Sequence, residues 1–334
     1  MCHYKQVILR VSRGVLFLAI LVLFSTCIDK DENIEPYTGT KVLRDVLSTM
    51  QNHSLHKHKI NWDEFREQVY AEIDGTRTLN DIYPGIKKAL TLLDDNHSFF
   101  TRHDLQAIRG ESEIFCEIPE LSRPLLPEKI GYVETVGATF TQDPQRGKTY
   151  AEEIRKQITN QDDEDLIGWI VDLRSNWGGS VMYPAIAGLG PILGEGIAGY
   201  FIDADSVVTS WSYRDNSAVY DENRRLASLE DNYELKKKNP KVAVLIGNGV
   251  ASGGEAVAIS FIGRENTKTF GKPTCGLTTG NALFTFDYNT SLSLTGVYMA
   301  DRNGKNYNGN PIIPDVIVND SLIIQEAIKW LESD

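Results

Sequence analysis

Ser252 is the residue whose setting first suggests chemistry. It lies in KVAVLIGNGVASGGEAVAISFI, residues 241–262. The run VAVLI is apolar and rich in β-branched residues, which fits a strand buried on both faces of a parallel sheet. GNGVASGG is too rich in Gly and Asn to continue that strand and predicts a tight turn, and EAVAISFI predicts a short buried helix. Ser252 then sits at the helix N-terminus, where unpaired N–H groups stabilise negative charge. A nucleophile and a plain N-cap serine both fit this segment. Val250 stands two residues before Ser252, where a G-x-S-x-G elbow needs glycine, so an α/β-hydrolase is disfavoured. Two other stretches stand out with it: LDDNHS, which contains His97, and IVDLRSNWGG, which ends in the adjacent glycines Gly178 and Gly179.

The elements that must position these residues read as an α/β chain. LRDVLSTM, INWDEFREQVYAEI and DIYPGIKKALTLLDD space their apolar residues as amphipathic helices do, with Asn61 and Thr78 as caps. They predict a helical domain over 41–102. Residues 103–128, with Pro119, Pro124 and Pro127, read as a linker too short for a domain of its own. From 129 to 334 strands alternate with helices, which argues for a mainly parallel sheet covered on both faces. Within it GYFIDADSVVTSWSYRD predicts a hairpin, and DENRRLASLEDNYELKKKNP a solvated helix and loop. FTFDYNTSLSLTGVYMADRNG predicts antiparallel strands, and SLIIQEAIKWL a closing amphipathic helix. His53, His56, His58 and His103 read as solvated.

A chain of 334 residues, 41% hydrophobic and 24% charged, has the composition of a globular protein with a sizeable core. Ahead of that core, residues 1–26 read as a signal segment: Lys5, Arg10 and Arg13 precede VLFLAILVLF, which is short for a membrane span. LFSTC resembles a lipobox that would make Cys27 the lipidated first residue, with Thr26 where Gly, Ala or Ser is usual. IDKDEN, opening the polar tether 27–40, resembles the surface-export tether of Bacteroidetes lipoproteins. Export to the periplasm or cell surface is therefore expected, with a lipid anchor as the only membrane contact. The formal charge of −12, made more negative by loss of the signal, speaks against nucleic acid and anionic lipid as partners. Cys116 and Cys275 have no signature spacing, and no Cys/His pattern suggests zinc.

Together LDDNHS, IVDLRSNWGG and GNGVASGGEA resemble the S41 serine peptidases, the family of the tail-specific proteases, the tricorn core and the interphotoreceptor retinoid-binding modules. DLRSNWGG resembles the family's D-L-R-x-N-x-G-G, GKPTCGLTTG its G-E-P-T-x-G, and IPDVIV its late P-D element. The resemblance spans about Lys41 to Glu332 and implies a ClpP/crotonase-like α/β core preceded by a small helical domain. It implies that Ser252 is the nucleophile, which needs a base. Leu277 occupies the position of the base in the Ser/Lys branch, and Lys272 reads as a surface residue. His97, in a motif resembling the tricorn-like L-x-x-x-H-S, is the implied base, expected to lose function below about pH 6.5 if unperturbed. The implied oxyanion donors are Gly253 N–H with that of Gly178 or Gly179, while Asp172 and Arg174 fix the loop. No glutamate lies between Glu265 and Glu326 to complete the relay, so Asn96 or Asn308 is expected to orient the imidazole. The expected function is an exported, lipid-anchored serine endopeptidase or peptide-trimming protease acting on a peptide or protein substrate, without metal or cofactor. Residues 103–128 leave no room for the family's PDZ domain. The alternative is a weak or inactive member of the fold that binds peptides or lipids.

Overall fold

A computed structural model describes residues 38–73, 78–102, 107–112, 114–140 and 143–333. The expected signal segment, the lipidation residue Cys27, most of the tether and His103 lie outside the described residues.

Among the described residues three α-helices come first: α1 (Thr38–His53), α2 (Trp62–Ala71) and α3 (Tyr83–Leu93). Their apolar stripes meet in one cluster, with Val42, Leu43, Val46 and Met50 of α1 against Val69 of α2 and Ile86 of α3. A helical segment this small is marginal as a core of its own. Phe100, Leu292 and Leu294 of the following sheet complete it, so the helical segment shares its core with the rest of the molecule.

After β1 (Phe99–Arg102) and β2 (Ile108–Arg109), the chain builds β3 (Ile130–Glu134), α4 (Pro144–Thr159), β4 (Gly168–Asp172), α5 (Met182–Leu193) and the antiparallel strands β5 (Gly196–Asp203), β6 (Val208–Arg214), β7 (Ser217–Tyr220) and β8 (Arg224–Ser228). Then follow β9 (Lys241–Ile246), α6 (Gly253–Phe261), β10 (Thr267–Gly271), β11 (Thr279–Phe286), β12 (Thr290–Asp301), β13 (Val316–Ile317) and α7 (Ile323–Glu332). Two sheets result. One is wholly parallel, in the order β13-β10-β9-β4-β3. The central strands β4 and β9 are buried almost throughout, as their unbroken apolar runs require. The other sheet is antiparallel, in the order β2-β1-β12-β5-β6-β7-β8, with β11 also pairing with β12.

Two expectations need correction. The charged run expected to form a solvated helix instead places Arg224–Ser228 as edge strand β8. Its arginines keep that edge in water, a common use of charge on an edge strand. His56, expected to be solvated, is half-buried: its Nδ1 lies 2.9 Å from the Leu93 carbonyl oxygen and its Nε2 3.2 Å from the Tyr298 hydroxyl, stitching the helices to β12. The segment before β3 runs over the surface with Phe115 and Leu125 exposed. A disulfide joins its Cys116 to Cys275, with Cα atoms 5.2 Å apart.

Candidate active site

The nucleophile side is built from the ends of β4 and β9. β9 runs into the predicted turn, and Ser252 caps α6 with φ 53° and ψ −119°, a conformation an L-residue adopts only when its surroundings enforce it. The surroundings are main chain. Ala251 N–H donates to the Asn176 carbonyl oxygen at 3.2 Å, and Gly178, at φ 90°, lies so close that a Cβ there would stand 2.5 Å from the Ala251 carbonyl oxygen and 3.0 Å from Ser252 Cβ. Only glycine fits.

Asn176 holds this loop in shape. Its Nδ2 donates to Thr135 Oγ1 at 2.8 Å, and its Oδ1 accepts Gly178 N–H at 3.2 Å. That bond distinguishes the two glycines expected at the oxyanion site. Gly178 N–H is occupied, whereas the N–H groups of Gly179 and Gly253 have no acceptor among the described residues. The Gly179 carbonyl would be 3.0 Å from a Cβ on Gly253, so the two glycines are packed against each other. Asp172 and Arg174 form a buried ion pair at the end of β4. Arg174 Nη2 donates to Asp172 Oδ2 at 2.6 Å, Tyr132 Oη donates to the same oxygen at 3.0 Å, and both members of the ion pair are buried.

Glu255 had no expected role. It is wholly buried one turn into α6: its Oε2 accepts Ser252 N–H at 2.9 Å, and its Oε1 accepts the Thr274 hydroxyl at 2.5 Å and Gly276 N–H at 2.9 Å. Burial pushes its pKa up to about 7, against the opposing pull of these donors. The signal in the sequence was an acid three residues after a helix-capping serine, the spacing of a capping box.

The base side comes from the turn between α3 and β1. α3 stops at Asp94 in the left-handed region, and Asp95 Oδ1 then accepts the N–H groups of His97 and Ser98 at 3.0 and 2.8 Å. This turn delivers His97, 6% exposed, into the interior. His97 Nδ1 lies 2.7 Å from Thr279 Oγ1, at the start of β11, and Asn281 Nδ2 donates to the His97 carbonyl oxygen at 3.0 Å. With Nδ1–H donating to Thr279, Nε2 keeps its lone pair, as a general base requires. Burial, assisted by the positive charge of Arg109, lowers the imidazole pKa to about 4. The imidazole is therefore neutral well below the pH 6.5 expected for a free histidine.

Neither asparagine expected to orient His97 does so. Asn96 is exposed at φ 56° in the turn it helps to make, and Asn308 is exposed at φ 52° with its N–H donating to Asn306 Oδ1. Thr279 takes that place. Short hydroxyls carry little sequence signal, which is why Thr279 escaped notice. The segment 274–279 ties the two sides together, since Thr274 and Gly276 bind Glu255 behind the serine and Thr279 binds the histidine. Ser252 and His97 share no hydrogen bond with each other, and Lys272 is half-exposed in an ion pair with Asp320. Among the described residues no group of three or more His, Cys, Asp or Glu is placed to hold a metal.

The profile of peptidase family S41 matches residues 129–318. A nisin-resistance protein of Lactococcus lactis subsp. lactis is 26% identical over 299 residues, covering 89% of this chain and 88% of the relative. Among solved structures, a lipoprotein from Streptococcus agalactiae superposes with a TM-score of 0.70 at 23% identity, covering 90% of this chain and 99% of the other. The photosystem II D1 C-terminal processing protease gives 0.53 at 14% identity, over 89% and 98% of the two chains. These two likenesses concern the fold. With the glycine loop, the serine turn and the late P-D strand all inside the matched region, the chain belongs to peptidase family S41.

Proposed function

We propose that the chain is a serine peptidase acting outside the cytoplasm, anchored by lipid at Cys27 and acylated at Ser252 with His97 as general base. The observation that carries this reading is the imidazole: it is buried, held through Nδ1 by Thr279, and kept neutral with Nε2 unpaired among the described residues. In the reaction Ser252 Oγ attacks the peptide carbonyl carbon and its proton passes to His97 Nε2. Negative charge on the carbonyl oxygen is met by the Gly179 and Gly253 N–H groups. The proton then moves to the leaving amine, and water releases the acyl group by the same route. Trp177, half-exposed beside the two glycines and stacked over Gly137, offers an apolar surface to a substrate side chain. The Cys116–Cys275 disulfide supports an oxidising location. The likeness to a nisin-resistance protein makes nisin a reasonable first substrate to try.

One observation favours a second reading, a binding protein on the same fold: Ser252 and His97 are not hydrogen-bonded. Such bonds often tighten only when substrate is bound. The test is reaction with a fluorophosphonate followed by mapping of the modified residue. Labelling at Ser252 that disappears in Ser252→Ala supports the peptidase. An unlabelled, folded protein that still binds peptide establishes the second reading. For the anchor, Cys27→Ser should abolish incorporation of labelled palmitate, and equal labelling of the variant overturns that part.

A further inference from the structure

β11 has an open edge that starts at the catalytic histidine. Among the described residues the strand pairs with β12 alone. Opposite Asn281, Thr295 of β12 gives its N–H to Ser98 Oγ at 2.9 Å and its carbonyl to Leu55 N–H at 2.9 Å, so both groups are spent away from β11. Hydrogen-bonded and non-bonded partners alternate along an antiparallel pair. The ladder bonds to β12 therefore fall at Ala282, Phe284 and Phe286, and the N–H and C=O groups of Asn281, Leu283 and Thr285 point outward. None of these outward groups has a partner among the described residues.

Sheet edges are usually guarded by charge or proline. The strand TGNALFTF has neither. Its inner end is the site itself, through Thr279 on His97 Nδ1 and Asn281 Nδ2 on the His97 carbonyl. That end is recessed, since Thr279 and His97 are both buried, while Leu283 is 59% exposed further out.

We propose that this edge binds the substrate: an extended peptide adds to β11 as a further strand and runs from the Ser252–His97 centre toward Phe286. A single extended chain can enter the recessed end, which a strand still held within a folded domain cannot. Three outward backbone positions at every second residue set the period of recognition, and exposed Leu283 on an uncharged strand favours an uncharged, partly apolar segment. The inference rests on the peptidase reading above.

The test uses a fluorogenic peptide that the protein cleaves, carrying one backbone N-methyl group moved residue by residue. Each methyl that removes a strand hydrogen bond should lower kcat/KM about tenfold, in a period of two. Leu283→Pro should raise KM about tenfold, because the N–H it removes lies outside the β12 ladder. A flat N-methyl response overturns the proposal even if that variant fails to fold. So does a folded Leu283→Pro protein with wild-type KM, including one whose only change is conversion from dimer to monomer in light scattering. If the peptide binds uncleaved and Ser252 resists the fluorophosphonate, the peptidase reading has failed. The same scan read as Kd by fluorescence anisotropy then decides the edge separately, with alternation supporting it and a flat profile refuting it.

Discussion

The two halves of the active site are fixed by different means. Around Ser252 the contacts are mostly main chain, from the Ala251–Asn176 bond to the glycine seated against the serine turn, and they come from parallel strands. Around His97 they are side chains, namely Asp95, Thr279 and Asn281, on a turn and an antiparallel sheet. Main-chain contacts leave sequence marks only where glycine is obligatory. Side-chain contacts can exchange one polar group for another while the backbone stays in place, so a threonine hydroxyl can hold the imidazole without leaving a mark in the sequence.

The largest effect should come from removing the base. His97→Ala is expected to slow acylation of Ser252 about 10²- to 10⁴-fold, measured as the rate of fluorophosphonate labelling at constant pH. On the nucleophile side Gly178→Ala should cost about 10²- to 10³-fold, because its methyl would stand 2.5 Å from the Ala251 carbonyl oxygen and must displace the oxyanion wall. Melting temperatures of both proteins separate this local damage from loss of the fold. Labelling by Gly178→Ala at the wild-type rate would show that the main-chain half is softer than its geometry implies.

A smaller effect is expected at Thr279. Thr279→Val should cost about tenfold by freeing the imidazole, and Thr279→Ser should restore most of it, as the hydroxyl rather than the shape matters. Equal rates in Val and Ser variants would mean that packing alone orients the ring. Asn96→Ala, Asn308→Ala and Lys272→Ala should change the labelling rate by less than about twofold, since all three positions are exposed and bond elsewhere or not at all.

The two buried titratable groups offer a subtler contrast. Glu255 has a folded pKa of about 7, above its ordinary 4.5, so its contribution to stability is complete below about 4.5 and is lost as pH rises toward 7. His97 has a folded pKa of about 4, below its ordinary 6.5, so its contribution is complete above about 6.5 and is lost as pH falls toward 4. Between these limits the slopes oppose each other. Calorimetry should show a melting temperature nearly constant from about pH 4.5 to 6.5 from these two groups, with Glu255→Gln unmasking a fall on acidification and His97→Asn a rise. Identical slopes in the two variants would refute the assignment.

The parallel half of the fold was legible because hydrophobic runs, tight turns and glycines coincide there. VAVLI, GNGVASGG and DLRSNWGG each announce both an element and a chemical role. His97 was legible only by likeness of motif, since nothing local says that a turn after α3 seats its histidine against a threonine 182 residues later. Glu255 and Thr279 escaped notice for a shared reason: each matters through partners that only the tertiary fold supplies. The misread segment at Arg224–Ser228 shows a charged edge strand imitating a solvated helix.

β12 lies between β11 on one side and β1 and β5 on the other, and it begins only at Thr290. It supplies Leu292 and Leu294 to the core beneath the helices and, through Thr295, anchors Ser98 beside the base. A chain made only as far as Ser252 would have its serine turn but no seat for His97, whose partner Thr279 comes later. The candidate site is therefore complete only when the last strands, β11 and β12, are in place.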